Sequence, residues 1–130
     1  MSDTNEKQYS LFIKSLIDKL EDARKEFDYC YSKVNDLDYI TQDYLHKLEL
    51  EDLDYSERAK VATKIAKARK ERRKCKNRAE ELQPLVDYLT SDKGKTMLNS
   101  LREILGKTRK AEDRQKNRTY TNRRLDKEDT

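Results

Sequence analysis

Residues 13–48, IKSLIDKLEDARKEFDYCYSKVNDLDYITQDYLHKL, decide the fold because apolar side chains recur in them at alternating steps of three and four residues. The series comprises Ile13, Leu16, Leu20, Ala23, Phe27, Cys30, Val34, Leu37, Thr41, Tyr44 and Leu48. All of these positions except Thr41 are apolar or aromatic. This spacing places the series on one face of a helix and is typical of a coiled-coil seam. It predicts one long helix from about residue 6 to about residue 50.

A second series with the same alternation follows, and it predicts a second helix. It comprises Val61, Ile65, Ala68, Arg72, Cys75, Ala79, Leu82, Val86 and Leu89, with Arg72 as its one misfit. Asp54, with Glu57 three residues later, is an acidic variant of a capping box that marks the start of this helix. When the chain is folded about this turn, the nine residues of the second series face Leu20 to Leu48 of the first, and the residue numbers of each facing pair add to 109. The sequence therefore predicts an antiparallel hairpin of fixed register, in which Cys30 faces Ala79 and Val34 faces Cys75.

The rest of the chain predicts a shorter helix and a basic tail. Pro84 lies inside the second series and is expected to kink that helix without ending it. Residues 91–94 are expected to end the second arm, and a third helix then carries Met97, Leu98, Leu101, Ile104 and Leu105 before Gly106. The predicted organisation is a helical domain over residues 1–105 and a basic tail over 106–130 that is partly disordered or ordered by a partner. The fold class is all-α.

The composition favours a small binding protein over an enzyme. Only 34% of the chain is hydrophobic and 43% is charged, so a deep substrate pocket is not expected. No Gly-rich phosphate loop, nucleophile grouping or metal-ligand spacing is present, and His46 is the only histidine. We therefore expect no catalytic residues, cofactor or metal. The chain has no apolar run near the ~18 residues of a membrane span and no secretory leader, so we expect a cytoplasmic protein with reduced cysteines.

Charge is segregated along the chain, and this segregation indicates a candidate site. Residues 1–57 hold 15 acidic and 7 basic side chains, whereas residues 58–78 hold 11 basic side chains and one acidic side chain, Glu71. Cations that flank the seam, among them Arg69 and Lys76, are expected to reach the acidic first helix. Those on the opposite face cannot reach it, so this face is predicted to follow a phosphate backbone, to dock on an acidic protein or to remain solvated. The predicted face comprises Lys60, Lys67, Lys70, Arg73 and Lys74, with Arg109, Lys110 and Arg114 of the tail as a second contact.

The first helix also carries more apolar side chains than its seam uses. These are Phe12, Ile17, Tyr31, Ile40 and Leu45. A two-helix hairpin buries little apolar surface for its length, so this flank should be covered. Either the third helix folds back onto it, or two copies of the chain pair through it. A homodimer is therefore one expectation for the assembly.

Four segments of the sequence resemble small helical accessory proteins of Gram-positive bacteriophages and prophages. They are DYLHKLEL at 43–50, SERAK at 56–60, RKERRKCKN at 69–77, and LQPL at 82–85. The resemblance covers roughly residues 30–90 and assigns no functional residues. It implies a phage product that binds host machinery or a defence complex, such as a CRISPR effector, in the cytoplasm of the bacterial host. The expected function is to inhibit or redirect a host nucleoprotein through the basic helix face. The alternative is a homodimeric protein that binds nucleic acid or has a structural role.

Overall fold

The computed structural model describes residues 8–118, and every regular element in that range is an α-helix. Helix α1 spans Tyr9–Leu50, α2 spans Tyr55–Thr90, and α3 spans Asp92–Asn117. Helices α1 and α2 pack against each other as the predicted hairpin, and α3 is the shorter C-terminal helix. The all-α class is therefore confirmed. Helix α2 continues through Pro84 without a break, as expected.

Both predicted seams are the faces that the hairpin covers. Every residue of the two series is buried or half-buried, and Leu89 is fully buried. Cross-arm contacts test the register independently, because they join Asp38 to Arg72, Tyr44 to Lys64, and Glu26 to Arg78. The first two contacts lie within one residue of the position that the predicted pairing gives, and the third lies five residues from it, which is more than one helical turn. The antiparallel orientation of the two arms is therefore confirmed, and the exact register stays a prediction.

Each arm ends at a side chain that satisfies the backbone of the next helix. Asp54 caps α2 as predicted, since its Oδ1 accepts the Glu57 backbone N–H at 2.8 Å. Ser91 is the single residue between α2 and α3. Its hydroxyl donates to the Tyr88 carbonyl and accepts the Gly94 N–H at 3.2 Å, so it closes one helix and begins the next.

Gly94 lies in the first turn of α3, directly against the end of α2. A Cβ at this position would overlap the Tyr88 carbonyl, so the close approach of the two backbones requires glycine here. The sequence predicted that residues 91–94 end the second arm. The structure places that end at Ser91 and uses Gly94 for the contact that follows.

The described residues divide into two compact units. One is the hairpin, Asp18–Thr96, and the other joins the start of α1, up to Ile17, with α3 from Met97 onward. In the second unit, Ser10 Oγ donates to Glu112 Oε2 at 2.9 Å, and Ile17, Leu98 and Leu105 are buried. This unit shows that α3 packs along the beginning of α1.

Two sequence-based expectations fail in this second unit. Helix α3 does not end before Gly106 but continues to Asn117, so residues 106–117 of the predicted tail are helical. A glycine costs a helix only about 1 kcal/mol, and the half-buried Thr108, Ala111 and Glu112 continue its packed face. Ile17 is not available to a partner, because it is 3% exposed within this unit. The tail beyond Arg118 lies outside the described residues.

Candidate nucleic-acid interface

The predicted basic face forms a row along the outer surface of α2. Lys60, Lys67 and Lys74 are seven residues apart, which places them on one line at steps of about 10.5 Å. Lys70 lies between Lys67 and Lys74 along the helix and to one side of this line, and Arg73 lies further around the helix on the same side. All five side chains are exposed. We call this set the basic stripe, and its position relative to the seam is the one predicted.

Three other cations of α2 are engaged by the acidic arm. Arg72, at the seam, donates from Nε to Asp38 Oδ1 at 2.6 Å, and Arg69 approaches the same oxygen at 3.4 Å. Arg78 donates from Nε to Glu26 Oε1 at 2.6 Å. The intramolecular pairing expected from the charge pattern therefore holds for these three cations. Lys76, which was also expected to reach the acidic arm, forms no ion pair within residues 8–118.

No member of the basic stripe shares in this pairing. Within residues 8–118, none of the five cations forms an ion pair. Glu71, the single acid of the segment, lies 4.0 Å from Lys33 of α1. The one carboxylate of the basic segment therefore approaches the other arm, although Glu71 also borders the outer face of α2.

Three pKa shifts show how the contacts between the arms act on their titratable groups. The hydrogen bond from Arg78 lowers the pKa of the Glu26 carboxyl, and the same contact raises the pKa of Arg78. Burial, and to a smaller extent the neighbouring Cys75, raise the pKa of the Cys30 thiol. Both cysteines are free thiols. A raised pKa disfavours the thiolate, which is the reactive form.

The predicted second contact surface lies on α3, and its net positive charge is lower than that of the basic stripe. Arg109, Lys110 and Arg114 are exposed on the helix itself. Arg109 lines a small cleft that also contains the acidic residues Glu112 and Asp113. The cations of α3 therefore alternate with carboxylates, whereas those of the basic stripe do not.

The predicted apolar flank is only partly exposed. Phe12 and Tyr31 are 63% and 62% exposed, and Ile40 and Leu45 are also exposed, whereas Ile17 is buried. Tyr31 borders an open groove between the arms that also contains Asp38, Arg72 and Lys76. Its ring packs on Phe27 with the centroids 6.0 Å apart. Four of the five flank residues remain accessible.

Sequence reasoning missed a shallow depression that adjoins the basic stripe. It is lined by Thr63, Ala66, Lys67, Lys70, Glu71 and Lys74. Thr63 and Ala66 are exposed residues with small side chains, and their size makes the depression. The sequence could have revealed the depression, because Thr63 and Ala66 fall on the same helix face as Lys67, Lys70 and Lys74 and have much shorter side chains.

Comparison with known proteins assigns no relative. No family model matches the chain, and no curated protein or solved structure is significantly similar to it. Among residues 8–118, no cluster of His, Cys, Asp or Glu has the arrangement of a metal site, and His46 is exposed. Within the same residues, no helix combines the length and apolar character needed to cross a membrane.

Proposed function

We propose that the protein binds nucleic-acid phosphates through the basic stripe, and that it acts without catalysis on a nucleoprotein. The observation that carries this proposal is the row of five exposed cations that form no ion pair among residues 8–118. An intramolecular role would place such side chains against the acidic arm, as it does for Arg69, Arg72 and Arg78. A row of unpaired cations suits a polyanion, because each phosphate neutralised releases condensed counterions.

The resemblance to phage accessory proteins extends the proposal to the biological target. On that basis the nucleoprotein belongs to the bacterial host, and a defence complex such as a CRISPR effector is the class of target. The stripe would contact the guide RNA or target DNA held by such a complex. The protein would thereby inhibit or redirect it.

The test compares two triple variants of equal charge. Lys60→Gln, Lys67→Gln and Lys74→Gln remove the longest line of the stripe. Lys25→Gln, Lys47→Gln and Lys95→Gln remove three exposed lysines elsewhere. Binding to labelled duplex and single-stranded nucleic acids is measured by fluorescence anisotropy over a salt series, with circular dichroism to verify the fold.

The stripe variant should weaken binding about 10- to 100-fold and reduce the salt slope by roughly 0.7 to 0.9 for each phosphate that is no longer neutralised. The control variant should bind nearly as the unmodified protein does. Equal weakening in both variants would show that binding follows net charge alone. Unaltered binding in the stripe variant would overturn the proposal. A lysate pull-down with and without nuclease then identifies the complex.

The exposed apolar flank favours a second candidate, a homodimeric protein that binds nucleic acid or has a structural role. Tyr31 and Leu45 are accessible on the same side of α1, two heptads apart, and aromatic residues are enriched at interfaces. Light scattering across a concentration series tests this candidate. A dimer that Tyr31→Ser and Leu45→Ser together dissociate would support it, and a monomer at every concentration would contradict it.

A further inference from the structure

The depression beside the basic stripe gives this face of α2 a shape as well as a charge. Thr63 and Ala66 contribute small side chains to it, and Lys67, Lys70, Glu71 and Lys74 line the rest, toward the C-terminal end of the helix. The Thr63 hydroxyl donates to the Ala59 carbonyl at 3.0 Å, so the group that Thr63 can present to a partner is its methyl. A partner can therefore approach the helix backbone closely at two methyl groups flanked by ammonium groups.

This combination fits one form of nucleic acid better than others. The major groove of B-form DNA is about 12 Å wide and admits a helix about 10–12 Å in diameter, whereas the major groove of A-form RNA is too deep and narrow for side chains to read. Methyl groups of Ala and Thr contact the C5-methyl of thymine, which uracil lacks. Single strands are bound by aromatic stacking, and the residues that line the depression include no aromatic side chain.

We propose that the outer face of α2 enters the major groove of B-form duplex DNA. In this arrangement the methyl groups of Thr63 and Ala66 lie against the base edges, and the lysines of the stripe contact phosphates on either side. The inference rests on the proposed phosphate-binding function and names its ligand. It makes duplex DNA the preferred nucleic acid, with a favourable contribution from thymine.

Glu71 is the one side chain of the depression that opposes a polyanion. Lys33 of α1 lies 4.0 Å from its carboxylate and is itself half-buried, so a cation of the other arm offsets part of this charge. Within residues 8–118 the stripe lysines form no ion pair with Glu71 and remain available to phosphates.

The experiment measures dissociation constants for four probes of one sequence. They are duplex DNA, the same duplex with deoxyuridine replacing thymidine, duplex RNA and single-stranded DNA. Duplex DNA should bind at least about tenfold more tightly than duplex RNA. The deoxyuridine duplex keeps the B form and should bind about fourfold more weakly for each thymine methyl group that is removed from the interface.

Ala66→Leu tests the shape without a change of charge. Leu and Ala are both strong helix formers, so the helix is retained, but the larger side chain fills the depression. The preference for duplex DNA over duplex RNA should disappear while the salt slope stays the same. Ala62→Leu is the matched control, because Ala62 is exposed on the same helix and does not line the depression.

The outcomes separate this inference from the proposed function. Equal, salt-sensitive binding of the unmodified protein to all four probes, abolished in the stripe variant, would leave phosphate binding standing and overturn insertion into the groove. A duplex-DNA preference that survives Ala66→Leu would also overturn it. If no probe binds, the inference and the proposed function both fail.

Discussion

The face of α2 that packs against α1 and the face that points away from it use the same kind of charge differently. On the inner side, Arg69, Arg72 and Arg78 reach carboxylates of α1. On the outer side, four lysines and Arg73 have no ion-pair partner among residues 8–118. The planar guanidinium suits fixed contacts with carboxylates, whereas the flexible, strongly hydrated lysine suits a ligand whose phosphates can shift. The charge segregation of the chain therefore has two parts, and the fold uses only one of them.

The strongest test of this division removes a core side chain from the inner face. Leu89 is fully buried, so Leu89→Ala should lower the free energy of unfolding by about 2–5 kcal/mol. The measurement is urea denaturation followed by circular dichroism. Leu50→Ala is the control, since Leu50 is 79% exposed and should change stability by no more than about 0.5 kcal/mol.

The same variant also tests whether the two faces are independent. At a temperature where Leu89→Ala remains folded, its affinity for duplex DNA should equal that of the unmodified protein, because Leu89 lies outside the basic stripe. A lower affinity in the folded variant would mean that the outer face depends on packing at the end of the hairpin. The two surfaces would then be coupled.

A smaller effect is expected where the inner face carries a charge within the seam. The Arg72 side chain is only 18% exposed, and it combines packing of its stem with the bond to Asp38. Arg72→Ala should cost about 1–2 kcal/mol, because it removes the stem and a charge-assisted hydrogen bond. Arg72→Met should recover at least half of that stability, since Asp38 is partly exposed and still has Arg69 nearby.

The Arg72 pair of variants separates packing from pairing. Equal destabilisation by Arg72→Ala and Arg72→Met, measured by the same denaturation, would show that the ion pair dominates at this position. Recovery in Arg72→Met would show that the seam needs volume there more than charge. Neither variant should alter the salt dependence of nucleic-acid binding.

The sequence predicted the hairpin well because its seam is apolar and regular. Leu20 and Leu37 of α1 recur at the coiled-coil spacing along with Leu82 and Leu89 of α2, so each helix presents one apolar face to the other. The position of the basic stripe followed from the same geometry, because a residue's distance from the seam decides whether it can reach α1. Each of these features depends on contacts along two neighbouring helices, which a periodic pattern describes.

The sequence did not predict the packing of α3 or the depression on α2. Past Gly106 the covered face of α3 continues through Thr108 and Glu112, which are polar and resemble a solvated segment in the sequence. Ile17 could have served a partner or an internal contact, and only the fold of α3 decides between them. The depression exists because Thr63 and Ala66 have small side chains. The periodic pattern of apolar residues gives no information about side-chain size on the exposed face.

The smallest effect is expected from the cations at the boundary between the two faces. Lys64 lies over the Tyr44 ring, with Nζ 6.0 Å from its centroid, and Lys76 borders the groove between the arms. Replacing both with Gln should lower the free energy of unfolding by about 0 to 1 kcal/mol, because exposed contacts of this kind contribute little. Calorimetric melting checks this value.

The same double variant tests whether the nucleic-acid-binding surface ends at the basic stripe or includes Lys64 and Lys76. Lys64 and Lys76 flank the seam and point toward α1, so replacing them should leave the salt slope of nucleic-acid binding almost unchanged, although the protein then carries two fewer charges. Anisotropy titrations over the salt series used for the stripe variant provide the comparison. If the double variant reduced the salt slope by as much per lysine as the stripe variant does, nucleic-acid binding would depend on the total charge of α2 and not on the basic stripe. The inner and outer faces would then differ in packing but not in their role toward the ligand.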